Sequence, residues 1–334
     1  MKAVFQTKYG KSNVLQYGEQ TRPMLKINEI RIKNHASSVN PRDWMIRSGR
    51  YQLQFLVPSF PLILGSDFAG EVLEIGANVK GFKTGDKVFG MKNPSEGLAT
   101  YAEEVVAVAQ NTAFIPQGIS YIEAAGVPLC SLTSWQALVE KAGIQKGFKI
   151  LIIGASGGVG SFGVQIAKAH GGNVTAVCSQ NNAAMVVDLG ANQVIDYHRE
   201  DFLKSEGRYD IIFDTIGRHD LGKCSPIMNP GGTYISTVPS PKNLMAMAAT
   251  KVQSLFFKSC KKAMVVMVKS DGRALKQIGK LISTGSVKPV IDKIFPIQQA
   301  SQAHDHSRSL RAKGKIILEI KHDKRECADD QTYI

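Results

Sequence analysis

Up to about residue 121 the chain is a series of short runs in which apolar positions tend to recur at every second residue, separated by Gly and Pro: EIRIKNHASSV, FAGEVLEIG, GDKVFGM and ATYAEEVVAV. Period two with this punctuation predicts strands of an irregular, β-rich unit. The spacing changes near residue 121. SYIEAAGVPLCSLTSWQALVEKAG carries apolar residues at helical intervals from Ile122 to Leu138, and after it strand-like and helix-like stretches alternate: KILIIG, GSFGVQIAKAHG, NVTAVC, NAAMVVDLG, QVIDY, YDIIFDTIG and GGTYISTV. Such alternation predicts a parallel sheet covered by helices on both faces. The alternation ends near residue 290. There PVIDKIFPIQQASQAHDHSRSLRAKGKIILEI predicts a strand, a helix and a last strand, followed by the polar tail KHDKRECADDQTYI. No internal repeat or low-complexity stretch interrupts this plan.

One turn in the alternating half carries chemistry. Behind the apolar run KILI, the stretch IGASGGVG places Ala155, Gly157 and Gly160 where the dinucleotide fingerprint G-x-G-x-x-G has its glycines. Small residues there let the backbone turn sharply and approach a pyrophosphate, whose charge meets the free N–H groups opening the next helix. The turn follows a strand, opens a helix and is followed by a second strand ending at Cys178, which is the context the fingerprint requires. An NAD site places Asp or Glu at the end of that second strand to bind the ribose 2′-hydroxyl. Here Ser179-Gln180-Asn181 stands instead, so no carboxylate would repel a 2′-phosphate and NADPH is the expected cofactor.

Length, cysteines and charge add limits. A chain of 334 residues suggests two domains more readily than one. The five cysteines, Cys130, Cys178, Cys224, Cys260 and Cys327, are far apart, with no C-x-x-C and no Cys/His grouping, so neither a disulfide framework nor a zinc site is expected. No apolar run reaches spanning length, and MKAVFQ begins at once with strand-like alternation; a soluble, cytoplasmic protein is expected. The formal charge of +13 is concentrated between Lys242 and Lys280, where nine basic residues, Lys258 among them, face the single acid Asp271. A solvated face explains this segment; so does attraction to an anionic cofactor, an acidic partner or a membrane. LMAMAATKVQSLFFKSCKK mixes apolar and basic residues as surface-binding helices do, and packing against a dimer mate explains the same residues. No helix-turn-helix, RNA-binding or zinc-finger pattern accompanies the charge, so nucleic acid is not an expected partner.

The glycine turn and its surroundings, Leu151, Ala155-Ser156-Gly157-Gly158-Val159-Gly160, Gln165 and Lys168, resemble the signature of the zinc-free quinone oxidoreductase branch of the medium-chain dehydrogenase/reductase superfamily. Phe148 departs from it, standing where the family usually has a polar or acidic residue. The resemblance continues through VNPRDWMIRSG, PLILGSDFAGEVLEIG, VPLCSLTSWQAL and GKIILEI, and VTAVCSQ and LGANQVIDY are most similar to reticulon-4-interacting-protein-like NADPH oxidoreductases. It implies an α/β protein. A GroES-like catalytic domain would span 1–122, completed by 291–334, with a Rossmann NADP(H)-binding domain, 123–290, inserted. It implies further that Ser156, Gly158 and Val159 hold the pyrophosphate and that Ser179 and Tyr197 meet the 2′-phosphate. Thr215 and Thr237 would lie along the nicotinamide, with Thr133 and Lys315 nearby, and a homodimer is expected.

Zinc enzymes of the superfamily carry a catalytic Cys near Asn40, Gly-His-Glu where this chain has Gly65-Ser66-Asp67, and a four-cysteine lobe near 91–110, none of which is present here. Without a Lewis acid alcohol oxidation is disfavoured. The expected reaction is hydride donation to a small electrophile, a quinone or an activated C=C bond. NPRDWMIRSGRY supplies the catalytic candidates: Asn40 and Tyr51 as donors to the developing oxyanion, Asp43 and Arg47 to orient them. Asn40-Pro41 equally starts a turn, and Asp43 equally caps the helical turn after it. A non-catalytic NADPH-binding or membrane-associated protein of the same fold is the alternative.

Overall fold

The computed structural model describes residues 1–322 apart from Glu206 and Lys258; Cys327 and most of the polar tail lie outside the described residues. Six strands form a parallel sheet in the order Gln193–Asp196, Asn173–Cys178, Lys149–Ile153, Tyr209–Asp214, Met228–Ser236 and Lys262–Val265. The chain therefore runs outward from Lys149–Ile153 in one direction and then returns to build in the other. Between Lys149–Ile153 and Tyr209–Asp214 the strand order reverses, leaving a crevice at their carboxyl ends, the usual ligand site of such sheets. Ile150, Leu151 and Ile152 are wholly buried because helices cover both faces, which is why the strand reads as an unbroken apolar run rather than an alternating one.

The remaining strands form a three-stranded sheet and a seven-stranded sheet of mostly antiparallel pairing. The long strand Glu29–Val39 is the spine of the larger one, pairing with Asp67–Ile75, with Glu104–Val108 and with the last strand, Lys315–Glu319. That last pairing aligns Ile316 with Val39, so Lys315 comes to lie beside Asn40 although 275 residues separate them. The C-terminal strand and helix thus return to the N-terminal sheet.

Three local expectations change. The helical run from Ile122 to Leu138 is two helices, Tyr121–Ala125 and Pro128–Trp135, because Pro128 has no N–H to continue the ladder. The run then continues into the wider turns of Gln136–Lys141. The strand expected from ATYAEEVVAV begins only at Glu104. Ahead of it Leu98 and Ala99 adopt φ of 46° and 69°, turning the chain so that the amides of Thr100 and Tyr101 both reach the Leu64 carbonyl. Between 241 and 290, where periodicity singled out no separate elements, lie the helix Pro241–Phe256, the edge strand Lys262–Val265 and the helix Gly272–Ser283. Asp271 caps the last of these through the amides of Arg273 and Ala274.

Candidate functional site

The glycine turn sits at the head of the crevice. Gly154, at φ +80°, makes the reversal, and the amides of Gly154 and Ala155 both reach the Val177 carbonyl at 3.1 Å. A side chain on Gly154 would meet Thr215 Oγ1 and Ile216 Cγ1 at 2.7 Å. Ala155 is fully buried, tying the turn to the core. A Cβ on Gly157 would have nothing nearer than 3.5 Å, so the space above it is open. Gly160 has none: its Cβ would stand 2.2 Å from the Gly154 carbonyl oxygen, so the helix Gly158–Ala169 rests directly on the turn. The amides opening that helix have no i−4 partner and face an anion favourably. The Ser156 hydroxyl accepts from Asn182 Nδ2 at 3.0 Å, and the Ser156 carbonyl accepts from the Gly314 amide at 3.0 Å. Gly314 precedes the last strand of the other sheet, so the two halves of the chain are pinned at the turn.

Parallel register aligns Cys178 with Asp196, which sets Ser179 and Tyr197 side by side at the carboxyl edge. Tyr197 is 53% exposed, its ring against His198 at 4.3 Å. The same turn brings up Arg199, which sequence order hid, since it lies 20 residues past Ser179. Its guanidinium touches the Asp196 carboxylate only at 3.7 Å and is 74% exposed. Asn182 was also missed; its only signal was an amide a few residues past the strand end.

Across the crevice, the Asp214 carboxylate accepts from the amides of Ile216, Gly217 and His219 and from the Tyr234 hydroxyl, shaping the loop that carries Thr215. Thr215 Oγ1 donates to the Ile153 carbonyl at 2.8 Å, and Thr237 Oγ1 to the Thr215 carbonyl at 3.1 Å, so both threonines line the crevice mouth as a linked pair. Thr133 is buried and donates to the Leu129 carbonyl at 2.7 Å within its own helix. Its neighbour Ser134 is the residue that reaches the turn, donating to the Val159 carbonyl at 2.8 Å.

The N-terminal sheet contributes a buried cluster. Lys315 Nζ donates to Asn40 Oδ1 at 2.6 Å, Asp67 Oδ2 at 3.3 Å and Cys130 Sγ at 3.5 Å. Asn40 Nδ2 donates to Asp67 Oδ2 at 3.0 Å, the Ser38 hydroxyl reaches the same oxygen, and the Leu129 amide donates to Asp67 Oδ1 at 2.8 Å. A Cβ on Gly158 would meet Cys130 Sγ at 3.0 Å and the Lys315 stem at 3.1 Å, so this cluster lies directly behind the glycine turn. Burial pulls the Lys315 ammonium down and pushes the Cys130 thiol up, yet its acidic surroundings leave Lys315 raised. Since the thiol stays protonated, Asp67 is the charge that holds the ammonium.

Asn40 is both in this cluster and the cap of the helix Pro41–Arg47, whose third residue, Asp43, accepts from the Asn40 amide at 2.7 Å. Asp43 also accepts from the Tyr101 hydroxyl at 3.1 Å and the Ser66 hydroxyl at 3.3 Å. Burial lifts its carboxyl to about 6, against the pull of nearby Arg42. Behind Tyr101, His304 Nε2 lies 3.2 Å from the hydroxyl and His304 Nδ1 lies 3.2 Å from Arg47. Burial and Arg47 lower His304 to about 3, so it is neutral, accepts from Arg47 and donates to Tyr101. Asn40, Asp43 and Arg47 are thus committed to buried partners. Tyr51 is half-buried against the apolar cluster of Val39, Leu62 and Ile316, and its hydroxyl has no hydrogen bond among the described residues.

The amino-acid sequence matches the family description "Alcohol dehydrogenase GroES-like domain" over residues 26–117 and "Zinc-binding dehydrogenase" over 189–318. It is 32% identical to NAD(P)H oxidoreductase RTN4IP1, mitochondrial, of Danio rerio, over 96% of this chain and 91% of that protein. The fold matches a quinone oxidoreductase structure from Coxiella burnetii with a TM-score of 0.86 at 30% identity, covering 96% of this chain and 99% of that one. It also matches Escherichia coli quinone oxidoreductase complexed with NADPH, with a TM-score of 0.80 at 26% identity over 96% and 100%. The chain belongs to the medium-chain dehydrogenase/reductase superfamily, with the quinone oxidoreductases. A nicotinamide-dependent oxidoreductase is what the crevice, the glycine turn and these relatives together define.

Proposed function

We propose that the protein is a zinc-independent reductase that takes NADPH and delivers hydride to a small electrophile, a quinone or an α,β-unsaturated carbonyl. The observation that carries this reading is the meeting of the two halves at one point. The glycine turn with its open space above Gly157 stands against the Asn40–Lys315–Asp67 cluster, pinned by the Gly314–Ser156 bond. When bound, the nicotinamide supplies the hydride. Ser156 and the amides of Gly158 and Val159 would hold the pyrophosphate, and Ser179, Tyr197 and Arg199 the 2′-phosphate, with no Asp or Glu at 179–181, directly after the Cys178 strand, to oppose it. The Escherichia coli relative is complexed with NADPH, which agrees with that choice.

The zinc-free reading is supported by what stands at the positions of the zinc enzymes' ligands. Asn40 and Asp67 bind the Lys315 ammonium, and Ser66 accepts from Arg42 at 2.6 Å, so this chain's own cations already neutralise the pocket. Among the candidate donors, Tyr51 keeps its hydroxyl free for the acceptor oxygen, whereas Asn40 and Asp43 act as positioning residues. NADPH oxidation with 1,4-benzoquinone, 9,10-phenanthrenequinone, an alkenal, an enone and a simple ketone, with NADH in parallel, tests the proposal. Turnover of quinone or enone with NADPH preferred is expected. Tight NADPH binding without turnover of any acceptor would replace it with a cofactor-binding role.

A further inference from the structure

Arg42 carries a charge that no carboxylate among the described residues pairs. Its guanidinium is half-buried and makes three hydrogen bonds, all to neutral oxygens. Nη1 donates to Asn93 Oδ1 at 3.1 Å, and Nη2 donates to Ser66 Oγ at 2.6 Å and to the Lys92 carbonyl at 3.1 Å. Nε is buried and has no hydrogen-bond partner among the described residues. The neighbouring carboxylates are spent elsewhere. Asp43 accepts from the Asn40 amide, Tyr101 and Ser66, and Glu96 accepts from the Asn93 amide, Ser270 Oγ and Asn111 Nδ2, each at 2.8 Å. Holding a half-buried cation without an ionic partner costs free energy. The guanidinium is thus fixed in place but not neutralised, which suits a negative charge that arrives from outside the fold.

The place is the crevice. Arg42 follows Asn40, a member of the cluster behind the glycine turn, by two residues. Its partner Asn93 donates through Nδ2 to Ser270 Oγ at 3.0 Å. Ser270 lies beyond the carboxyl end of the strand Lys262–Val265, on the edge of the parallel sheet where ligands bind. Gln136 fixes the same segment by bonding the Lys269 carbonyl at 2.8 Å and the Lys269 amide at 3.0 Å. Arg42, Asn93 and Ser270 therefore form a line from the antiparallel sheet to the parallel one, and the guanidinium is held where the two face each other.

We propose that Arg42 binds the carbonyl oxygen of the acceptor and stabilises the negative charge that develops there, so that the substrate is a conjugated carbonyl compound reduced through an oxyanion. The inference rests on the reductase reading of the same site. The acceptor gains a C–H bond at its β-carbon as the dihydronicotinamide is oxidised, the C=C pair shifts toward the carbonyl, and the C=O pair becomes an enolate oxyanion beside the guanidinium. A proton from water on the α-carbon restores the C=O bond; a quinone passes through the hydroquinonate in the same way.

Two assays on Arg42→Gln and Arg42→Lys test this. In steady-state reduction of 9,10-phenanthrenequinone and an enone by NADPH, Gln is expected to lower kcat about 100-fold or more and Lys to recover part of it. The NADPH dissociation constant, read by fluorescence, stays within about twofold of the parent's, because the lost interaction is with the acceptor. The second assay needs no turnover: 4-nitrophenolate, an aromatic oxyanion, is titrated into the NADP+ complex and followed by absorbance, and Gln weakens its binding about tenfold or more. Where Gln lowers the urea midpoint, Arg42→Lys carries the comparison. Unchanged kcat in Arg42→Gln overturns the proposal, as does a loss that falls on NADPH affinity instead, which puts Arg42 on the cofactor. Parallel losses of kcat, NADPH affinity and urea midpoint in both variants overturn it too, since Arg42 then only holds Ser66 and Asn93. No turnover of any acceptor by the parent protein removes the reductase reading, and the phenolate titration still decides whether Arg42 binds an oxyanion.

Discussion

Replacing Gly160 by Ala tests whether the glycine turn works by close packing of helix on strand. The added Cβ would stand 2.2 Å from the Gly154 carbonyl oxygen, 2.7 Å from Ala155 Cα and 2.8 Å from the Gly154 carbonyl carbon. All three are backbone atoms, so no side chain can swing aside. Relief requires the helix Gly158–Ala169 to withdraw by about 1 Å, and overpacking of this kind costs about 1–3 kcal/mol. The same withdrawal moves the amides that would bind the pyrophosphate. A charge-assisted hydrogen bond contributes about 1.5–3 kcal/mol, so losing one weakens NADPH binding about 10- to 150-fold. Gly163→Ala is the control. Its Cβ would meet only the Phe213 ring and Ile152, at 3.4–3.5 Å, so binding is kept and helix stability is unchanged or gains up to about 1 kcal/mol. Urea unfolding and fluorescence titration with NADPH measure both effects. Wild-type NADPH affinity in Gly160→Ala would refute the reasoning, because the turn would then tolerate a separation that the packing excludes.

Arg199→Ala raises KM for NADPH about tenfold, or about 1.4 kcal/mol, and leaves KM for NADH unchanged; equal effects on both would remove Arg199 from the 2′-phosphate site. Lys315→Met strands the buried Asp67 carboxylate and lowers stability by about 3–5 kcal/mol, and adding Asp67→Asn recovers part of the loss; no recovery in the denaturation midpoint would show that the pair is not the cause. Asp43, at about 6 in the fold against 3.8 when free, binds its proton more tightly folded than unfolded. Its contribution is therefore full below about 4 and is lost as pH rises through about 6, about 3 kcal/mol in all, and Asp43→Asn should lack this part of the pH dependence when denaturation midpoints are compared at acid and neutral pH. Burial pushes Cys178 to about 11 and Cys224 to about 12 and raises Cys130, so iodoacetamide on the native protein, read by mass spectrometry, should modify half-buried Cys260 before these three.

The fold was legible wherever one period dominated. The strands Lys149–Ile153 and Asn173–Cys178 and the glycine turn between them are local features, fixed by an apolar run, small residues and a helix start within 30 residues. The helix Gly272–Ser283 has a proper Asp cap and buried positions at Ala274, Leu275, Ile278 and Ile282, yet its lysines masked it within a basic stretch. The break at Pro128 was visible in the residue itself but was overridden by the helical spacing around it.

The amino-acid sequence by itself determined the alternating half, the cofactor turn and the absence of a carboxylate after Cys178, because each depends on neighbours along the chain. Only the tertiary structure decided the rest. Strand register sets Asp196, and the turn after it that carries Tyr197 and Arg199, beside the end of the Cys178 strand, and Lys315 reaches Asn40 because the last strand pairs with Glu29–Val39. Among the described residues the Tyr51 hydroxyl has no hydrogen bond while Asn40 and Asp43 are committed, since burial and hydrogen bonding depend on what packs from elsewhere in the chain. The outward apolar face of Pro241–Phe256 belongs to the same class: periodicity shows that a stripe exists, and only the packed sheet shows which side of it points away from the core.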